Sequence, residues 1–314
     1  MPPRLSCAIP VWNEDAVLPE LLQRLGAVLD GLPGGPHEIL LVDDGSTDRT
    51  PELLERAAAA DPRVTVVQLS RNFGQQAAIT AALDHARGDA VVVMDADLQD
   101  EPEAIPSFLE RFAQGYDVVY ARRVKRKESW LLRCSYSLAY RLINRLSEVR
   151  LPLDAGDFAL LSRRVVDELK RNPEHKRYLR GLRAWVGFRQ IGIDVERASR
   201  RAGRPKYTLF SLTGLMLDGI FSFSVVPLRL AGLTGALAVL ACVGYAAYAL
   251  YVKLATEVSP QGFTAIILVV VFLAGLQMLF LSLLGEYIGR IYEEVKRRPL
   301  YVVERVLRSD EGVG

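Results

Sequence analysis

The chain has 314 residues, enough for about two domain-sized units, and half of these residues are hydrophobic. Its formal net charge of +2 is close to neutral, and we expect no nucleic-acid partner. Three cysteines, Cys7, Cys134 and Cys242, are too few and too scattered to indicate a disulfide framework or a zinc site.

Strands and helices alternate through the first 94 residues. Helical periodicity is seen at residues 17–29 and 75–86, and Pro51 marks the first turn of another helix. Short apolar runs typical of buried strands occur at residues 5–11, 38–42, 64–69 and 90–94. This order predicts an α/β fold whose mostly parallel sheet has helices on both faces and binds ligands beyond the carboxyl ends of its strands. No Gly-x-Gly-x-x-Gly follows the first strand, which argues against a dinucleotide-binding oxidoreductase.

Two carboxylates follow the fourth apolar run. In an extended backbone, residues two apart point to the same side, so Asp95 and Asp97 can present oxygens to one hard cation, and Gln99 continues the row. The alternative is that these residues only mark the end of a strand, with Asp100 and Pro102 capping the next helix. The spacing alone does not choose between the two.

Seven polar or mixed segments occur in order along the chain, at residues 9–14, 42–48, 71–74, 95–99, 115–123, 154–158 and 200–207. Together they resemble the family-two glycosyltransferases of GT-A fold, and within them the polyprenyl-phosphate glycosyltransferases that act on dolichyl or undecaprenyl phosphate. One departure matters: the family often has Ser where Pro205 stands, and Pro205 removes a hydroxyl and a backbone donor from the loop leading to Lys206.

The resemblance implies roles for particular residues. Asp157 is the candidate catalytic residue, to orient the acceptor or take a residual proton, the alternative being a structural acid. The alternatives are that Trp12 is a packed aromatic residue, that Asp43 is an acid of a turn, and that the arginines are ordinary surface residues. The implied donor-nucleotide residues are Pro10, Trp12, Glu14, Asp43 and Asp95; the ligands of Mg²⁺ or Mn²⁺ are Asp95, Asp97 and Gln99; and the residues near donor or acceptor phosphates are Arg123, Arg126, Arg200, Lys206 and Tyr207.

Two uncharged apolar stretches near the C-terminus, residues 230–252 and 263–285, are each long enough for a helix to cross a bilayer, which needs about 20 residues. Arg229 precedes them and Arg290 and residues 296–298 follow, so the positive-inside rule places both ends in the cytoplasm. With no apolar segment at the N-terminus, we expect a multi-pass protein of the cytoplasmic (inner) membrane whose catalytic domain and both termini are cytoplasmic.

The expected organisation has four parts. Between the catalytic domain and the spans, residues 128–147 and 206–227 read as interfacial amphipathic helices, although an ordinary core-facing helix is the alternative for the first. The basic run at residues 122–127 suits phosphates or anionic headgroups. The parts are a GT-A domain at 1–205, a juxtamembrane segment at 206–227, two transmembrane helices at 228–288 and a cytoplasmic tail at 289–314.

The expected activity is inverting transfer of a sugar from a nucleotide sugar, preferably UDP-linked, to undecaprenyl or another polyprenyl phosphate, by a homo-oligomer. A processive polysaccharide synthase is less favoured, because its Gln-x-x-Arg-Trp signature is absent and residues 180–185 are only the nearest stretch. A non-catalytic membrane scaffold would not need the acids that end the strands. Because the four strands and Asp157 precede Arg204, a chain ending there is expected to retain nucleotide binding.

Overall fold

The computed structural model describes residues 4–123, 155–172, 174, 177–195, 226–256 and 262–308. The strands are β1 (Leu5–Val11), β2 (Glu38–Asp43), β3 (Val64–Leu69), β4 (Ala90–Val93), β5 (Val118–Arg123), β6 (Ala155–Ser162), β7 (Gln190–Val195) and β8 (Val303–Arg308). The helices are α1 (Leu18–Asp30), α2 (Thr50–Ala60), α3 (Gln75–His85), α4 (Ile105–Ala113), α5 (Arg163–Arg171), α6 (Leu179–Trp185), α7 (Val226–Thr256) and α8 (Phe263–Lys296).

All eight strands form one sheet in the order β7-β5-β6-β4-β1-β2-β3-β8. β1 pairs in parallel with β2 and β4, β2 with β3, and β5 with β7, whereas β6 and β8 run antiparallel to their neighbours. The predicted alternation of strands and helices and the mostly parallel sheet are therefore confirmed.

The sheet is covered on both faces, which explains why its central strands are apolar at nearly every position. One hydrophobic cluster packs Val64 and Val66 of β3 with α1 and α4, and the other packs Val67 with α3 and α5. α1 turns Leu18, Leu21, Leu25 and Leu29 towards the sheet, at the spacing of one helix face.

The antiparallel strand β6 brings a later part of the chain to the functional edge of the sheet. Val93, the last residue of β4, lies opposite Ala159 of β6. Because the two strands run in opposite directions, the beginning of β6 lies at the edge where β1, β2 and β4 end. Asp157, two residues before Ala159, is thereby placed at that edge.

The C-terminal strand β8 was not predicted from the sequence. It pairs antiparallel with β3, with Val306 opposite Val67, and so occupies the edge of the sheet. Leu307 packs against the hydrophobic cluster on one face of the sheet and Val306 against the other. Part of the expected cytoplasmic tail is thus a strand of the α/β sheet, contributed by the chain after both apolar helices.

Residue contacts divide the chain into two compact units, one containing the sheet with residues 298–308 and the other containing α7 and α8. α7 has 31 residues and α8 has 34, corresponding to lengths of about 46 and about 51 Å. Ala231–Val252 and Phe272–Lys296 are apolar enough to cross a membrane, and their side chains are not buried in the described structure. Within the helical unit, Gly235 lies next to the Phe280 ring, where a Cβ would be 3.3 Å from a ring carbon. The predicted segment 128–147, and 206–225 of the juxtamembrane segment, lie outside the described residues.

Candidate active site

The loops that follow β1 and β2 are tied together at the carboxyl edge of the sheet. Asn13 adopts a left-handed backbone conformation, with φ of 54°, and its side-chain oxygen accepts a hydrogen bond from the Thr47 N–H at 2.8 Å. The Asn13 N–H donates to the Ser46 hydroxyl at 3.0 Å, and the Glu14 N–H donates to the Thr50 hydroxyl at 3.0 Å. These bonds fix the turn that carries Trp12, whose side chain is 41% exposed.

Asp43, the last residue of β2, and Asp44, which follows it, make different contacts. Asp43 accepts a hydrogen bond from the Ser46 N–H at 3.0 Å and lines a pocket, whereas Asp44 accepts bonds from the N–H groups of Phe73 at 2.7 Å and Gly74 at 2.9 Å. Both are buried, and burial raises the pKa of each carboxyl group despite the hydrogen bonds. Asp44 therefore holds the loop after β3 against the loop after β2.

Gly45 is required at the point where these two loops meet. It has a φ of +69°, and a Cβ added there would lie 2.6 Å from the backbone carbon of Arg71 and from the backbone nitrogen of Asn72. Only glycine combines this conformation with so close a backbone approach. The motif at residues 42–48 and the motif at residues 71–74 thus form one structural unit.

A pocket of about 630 Å³ opens beside this unit, within the size range of small-molecule sites. Trp12 and Asp43, the residues expected to contact the donor nucleotide, both line it. Pro10 is buried in β1 opposite Val42, and Glu14 lies in the next loop, so neither belongs to the described wall. The wall comprises Trp12, Asp43, Gly45, Ser46, Thr47, Pro51, Gln68, Leu69, Ser70, Arg71, Asn72, Glu304 and Arg305.

The acids after β4 lie outside the strand itself. β4 ends at Val93 and Leu98 has a φ of 55°, so the extended alternation assumed for Asp95, Asp97 and Gln99 does not hold through this segment. Asp95 and Asp97 are nevertheless both partly exposed while Ala96 and Leu98 are buried, so both acidic residues remain accessible to solvent.

Gln99 departs from the expected row. It is only 9% exposed, and its N–H donates to Asp97 Oδ1 at 3.1 Å, which closes a local turn. The alternative that Asp100 caps the next helix finds no support either: the 3₁₀ turn Pro102–Ala104 follows Glu101, and none of the described side chains caps it.

Two partly exposed carboxylates fit a divalent cation, which favours oxygen ligands and often takes the rest of its coordination from water and substrate phosphates. Among the described residues, no group of three or more acids, histidines or cysteines is arranged to hold a metal by itself. Asp95 and Asp97 therefore suit an ion held jointly with a bound phosphate group rather than a closed protein cage.

Asp157 forms an ion pair that the sequence analysis did not include. Arg180 on α6 donates from Nε to Asp157 Oδ1 and from Nη2 to Oδ2, each at 2.7 Å. Asp157 is 6% exposed, so the pair is held in a largely desolvated position. Since both carboxylate oxygens already accept hydrogen bonds, the geometry favours an orienting role for Asp157 over proton transfer.

A second cation lies behind this pair. Arg183 is 1% exposed, donates to the Gly156 carbonyl at 3.2 Å and stacks 5.0 Å from the centroid of the Tyr120 ring. Burial lowers the pKa of Arg183 to about 10, so it stays protonated at neutral pH. Two arginines of α6 therefore contact the start of β6, Arg180 at Asp157 and Arg183 at Gly156.

Two glutamines at the beginning of α3 connect the acids after β4 with α6. The Gln75 amide donates to Asp95 Oδ1 at 2.7 Å, and Gln76 Oε1 accepts a hydrogen bond from the Leu179 N–H at 2.9 Å. Sequence reasoning missed these glutamines, as well as Arg71 in the pocket and Arg180 on α6. The available signals were that the glutamines directly follow the segment at residues 71–74, that Arg71 lies within that segment, and that Arg180 begins the stretch at residues 180–185.

The expected phosphate-binding residues are only partly described. Arg123 is the last residue of β5, on the opposite side of β6 from β4. Arg126, Arg200, Lys206 and Tyr207 lie outside the described residues, and their roles stay predictions.

Comparison with known families identifies two parts of the chain. The model of the family described as glycosyl transferase family 2 matches residues 6–170, which hold β1–β6 and α1–α4. The model described as the GtrB C-terminal hairpin matches residues 226–291, which hold α7 and most of α8. The resemblance found in the motifs is therefore confirmed.

Relatives align along nearly the whole chain. An uncharacterized glycosyltransferase, YkcC of Bacillus subtilis, is 44% identical over 301 residues, covering 96% of this chain and 93% of the relative. A bactoprenol glucosyl transferase of Shigella phage SfII is 36% identical over 308 residues, covering 98% and 99%. The solved mannosyltransferase PcManGT of Pyrobaculum calidifontis, in complex with GDP-Man and Mn²⁺, is 20% identical with a TM-score of 0.50, covering 94% of this chain and 88% of that one, and it supports the GT-A fold.

Proposed function

We propose, from the premise that this chain belongs to glycosyl transferase family 2, that it transfers a sugar from a UDP-linked donor to undecaprenyl or another polyprenyl phosphate, with inversion at the anomeric carbon. The observation that carries the proposal is the presence of both parts in one chain, a GT-A sheet with a polar pocket at its carboxyl edge and a C-terminal pair of long apolar helices. Relatives that share both parts over nearly their full length include a bactoprenol glucosyl transferase.

The donor nucleotide occupies the pocket beside β2 and β3. Trp12 offers an exposed aromatic face for the base, and Asp43 offers an acceptor for an N–H or hydroxyl group of the nucleoside. The diphosphate extends towards Asp95 and Asp97, on the far side of β1. A Mg²⁺ or Mn²⁺ ion held there would stabilise negative charge on the departing nucleoside diphosphate.

The acceptor phosphate approaches from the side of β6. A phosphate monoester is already anionic at neutral pH, so it attacks the anomeric carbon without needing a strong general base. Asp157 holds Arg180 at this edge of the sheet, and the positive charge of Arg180 and Arg183 favours an anionic acceptor. Attack opposite the leaving diphosphate inverts the anomeric configuration.

The membrane arrangement follows from the order of the elements. The large apolar side chains exposed on α7 and α8, such as Leu240 and Phe272, suit contact with lipid. If both helices cross the bilayer, the chain returns to the face from which it started, and this agrees with the pairing of β8 with β3. By the positive-inside rule, Arg290 and the basic residues 296–298 support a cytoplasmic location for that face.

The test is transfer by the purified full-length protein in undecaprenyl-phosphate vesicles with Mn²⁺. UDP-glucose is the first donor, because relatives are named glucosyl transferases, and UDP-N-acetylglucosamine and GDP-mannose follow. We expect lipid-dependent UDP release with one donor. Release that does not depend on the lipid phosphate, or formation of a sugar polymer, would contradict the proposal, and the polymer would favour a processive synthase.

A further inference from the structure

We infer that β8, the strand that follows both apolar helices, forms the outer wall of the donor pocket, and that Glu304 binds the nucleoside of the donor. The inference rests on the proposed function, since it assigns the pocket to a nucleoside diphosphate. Glu304 and Arg305 line the pocket together with Trp12, Asp43 and Arg71, although more than 230 residues separate Glu304 from Arg71 along the chain.

A local irregularity of β8 turns Glu304 towards the pocket. Arg305 pairs with Gln68 and Val303 pairs with Leu69, so Glu304 is an extra residue without an opposite partner on β3. Such a bulge kinks the strand and redirects one side chain, and bulges recur beside functional sites. The Glu304 side chain is exposed, and among the described residues it takes part in no hydrogen bond or ion pair that would occupy its carboxylate.

Contacts on both sides of the bulge hold this wall in place. On one side, Arg305 donates hydrogen bonds to the side-chain oxygens of Gln68 and Glu55. On the other, the Ser70 N–H donates to the Val302 carbonyl at 3.0 Å, and the Tyr301 hydroxyl donates to Asp84 Oδ2 at 2.8 Å. Glu304 is therefore presented by a fixed segment rather than by a free tail.

The position of β8 in the sheet selects the part of the donor that Glu304 meets. β8 is four strands from β4, or about 19 Å at the usual spacing of neighbouring strands, so it is remote from the phosphate side marked by Asp95 and Asp97. A carboxylate would also repel a diphosphate. The groups that it attracts are N–H and O–H donors, which a uracil base and a ribose both carry.

This wall makes the donor site dependent on chain beyond the membrane helices. A protein ending near Arg204 lacks β8, leaves β3 as an exposed edge and opens one side of the pocket. The expectation that such a truncated chain retains nucleotide binding assumed that the donor site is complete before Arg204, whereas β8 follows both apolar helices. We now expect the truncation to lose donor affinity even though β1–β4 and Asp157 precede it.

Point substitutions in the full-length protein test the inference without removing the strand. Calorimetric titration with UDP is carried out on the wild type, on Glu304→Gln and Glu304→Ala, and on Glu110→Gln, a control at an exposed acid of α4 away from the pocket. Loss of one hydrogen bond to a charged group predicts about tenfold weaker UDP binding for Glu304→Ala, and Glu304→Gln, which keeps a neutral oxygen acceptor but loses the charge, should weaken UDP binding about threefold. The control should bind UDP as the wild type does.

Kinetics separate donor binding from a merely structural effect. Glu304→Gln should raise KM for the UDP-sugar with little change in kcat, because the lost contact exists before the chemical step. Wild-type UDP affinity and KM in both Glu304 variants would overturn the inference while leaving the proposed function intact. If the wild type itself binds no UDP and transfers no sugar from it, the UDP assignment fails and the inference fails with it.

Discussion

Substitution of Gly45 by Ala should damage the donor site more than the rest of the fold. A left-handed backbone costs a non-glycine residue about 1–2 kcal/mol. The added methyl group would also lie 2.6 Å from the backbone of Arg71 and Asn72, well inside normal contact distance, and such overpacking costs a further 1–3 kcal/mol, roughly. Because the added methyl group meets the backbone of Arg71 and Asn72 rather than a flexible side chain, one of the two pocket loops must move by about 1 Å.

The expected result for Gly45→Ala is at least tenfold weaker UDP binding, measured by titration calorimetry, together with a lower unfolding temperature. Gly115→Ala is the matched control, because Gly115 also has a positive φ, of +84°, but its added methyl group would meet only the flexible end of Arg189 at 3.3 Å. The control should lose stability without losing UDP affinity. Wild-type UDP binding by Gly45→Ala, or equal losses in both variants, would refute the proposed contact between the loops.

Three further predictions concern the acids of the site. Asp97→Asn should reduce Mn²⁺-dependent transfer at least about 100-fold with an unchanged unfolding temperature, because it removes a charged ligand from a partly exposed turn rather than a core contact, and wild-type turnover at saturating Mn²⁺ would contradict this. Asp157→Ala and Arg180→Ala should each lower the single-turnover transfer rate about 100-fold while UDP binding changes little, since the pair serves the acceptor; equal losses in rate and binding would move the pair to the donor side. Burial raises the pKa of Asp43, so UDP affinity should begin to fall on acidification at a higher pH than an ordinary aspartate would give, and an Asp43→Asn protein should lack this pH dependence. Because the pKa of Asp43 is raised in the folded state, the folded protein binds this proton more tightly than the unfolded chain does, and protonation of Asp43 favours folding. A loss of UDP affinity on acidification therefore cannot be explained by unfolding that protonation of Asp43 causes.

The central sheet could be predicted from the sequence because its strands are buried on both faces. Continuous apolar runs such as Ala90–Val93, followed by a polar cluster, indicate both the strands and the edge at which ligands are expected to bind. The positions of Trp12 and Asp43 in the pocket follow from the same pattern.

The edge strand β8 escaped prediction for a physical reason. It is paired on one side only, and Val303–Arg308 holds three charged residues beside three apolar ones without a regular alternation, so it resembles a polar tail. Its partner β3 lies more than 200 residues earlier, and no local pattern indicates such a pairing.

The surroundings of the catalytic candidate were equally hidden. Arg180 reaches Asp157 only because α6 packs beside β6, so the pair depends on tertiary structure rather than on spacing. The extended backbone assumed for Asp95, Asp97 and Gln99 is not observed, because β4 ends at Val93, before the first of the three. Beyond the end of a strand, the alternation of side chains no longer follows from sequence position.

The most direct test of the account is the identity of the lipid product. Full-length protein, undecaprenyl phosphate, Mn²⁺ and the preferred UDP-sugar should give, by mass spectrometry, a polyprenyl phosphate carrying one sugar, and NMR should show the anomeric configuration opposite to that of the donor. A lipid with retained configuration would contradict direct attack by the acceptor phosphate. A lipid bearing several sugars, or no glycosylated lipid while UDP is still released, would contradict the assignment of polyprenyl phosphate as the acceptor of a single transfer.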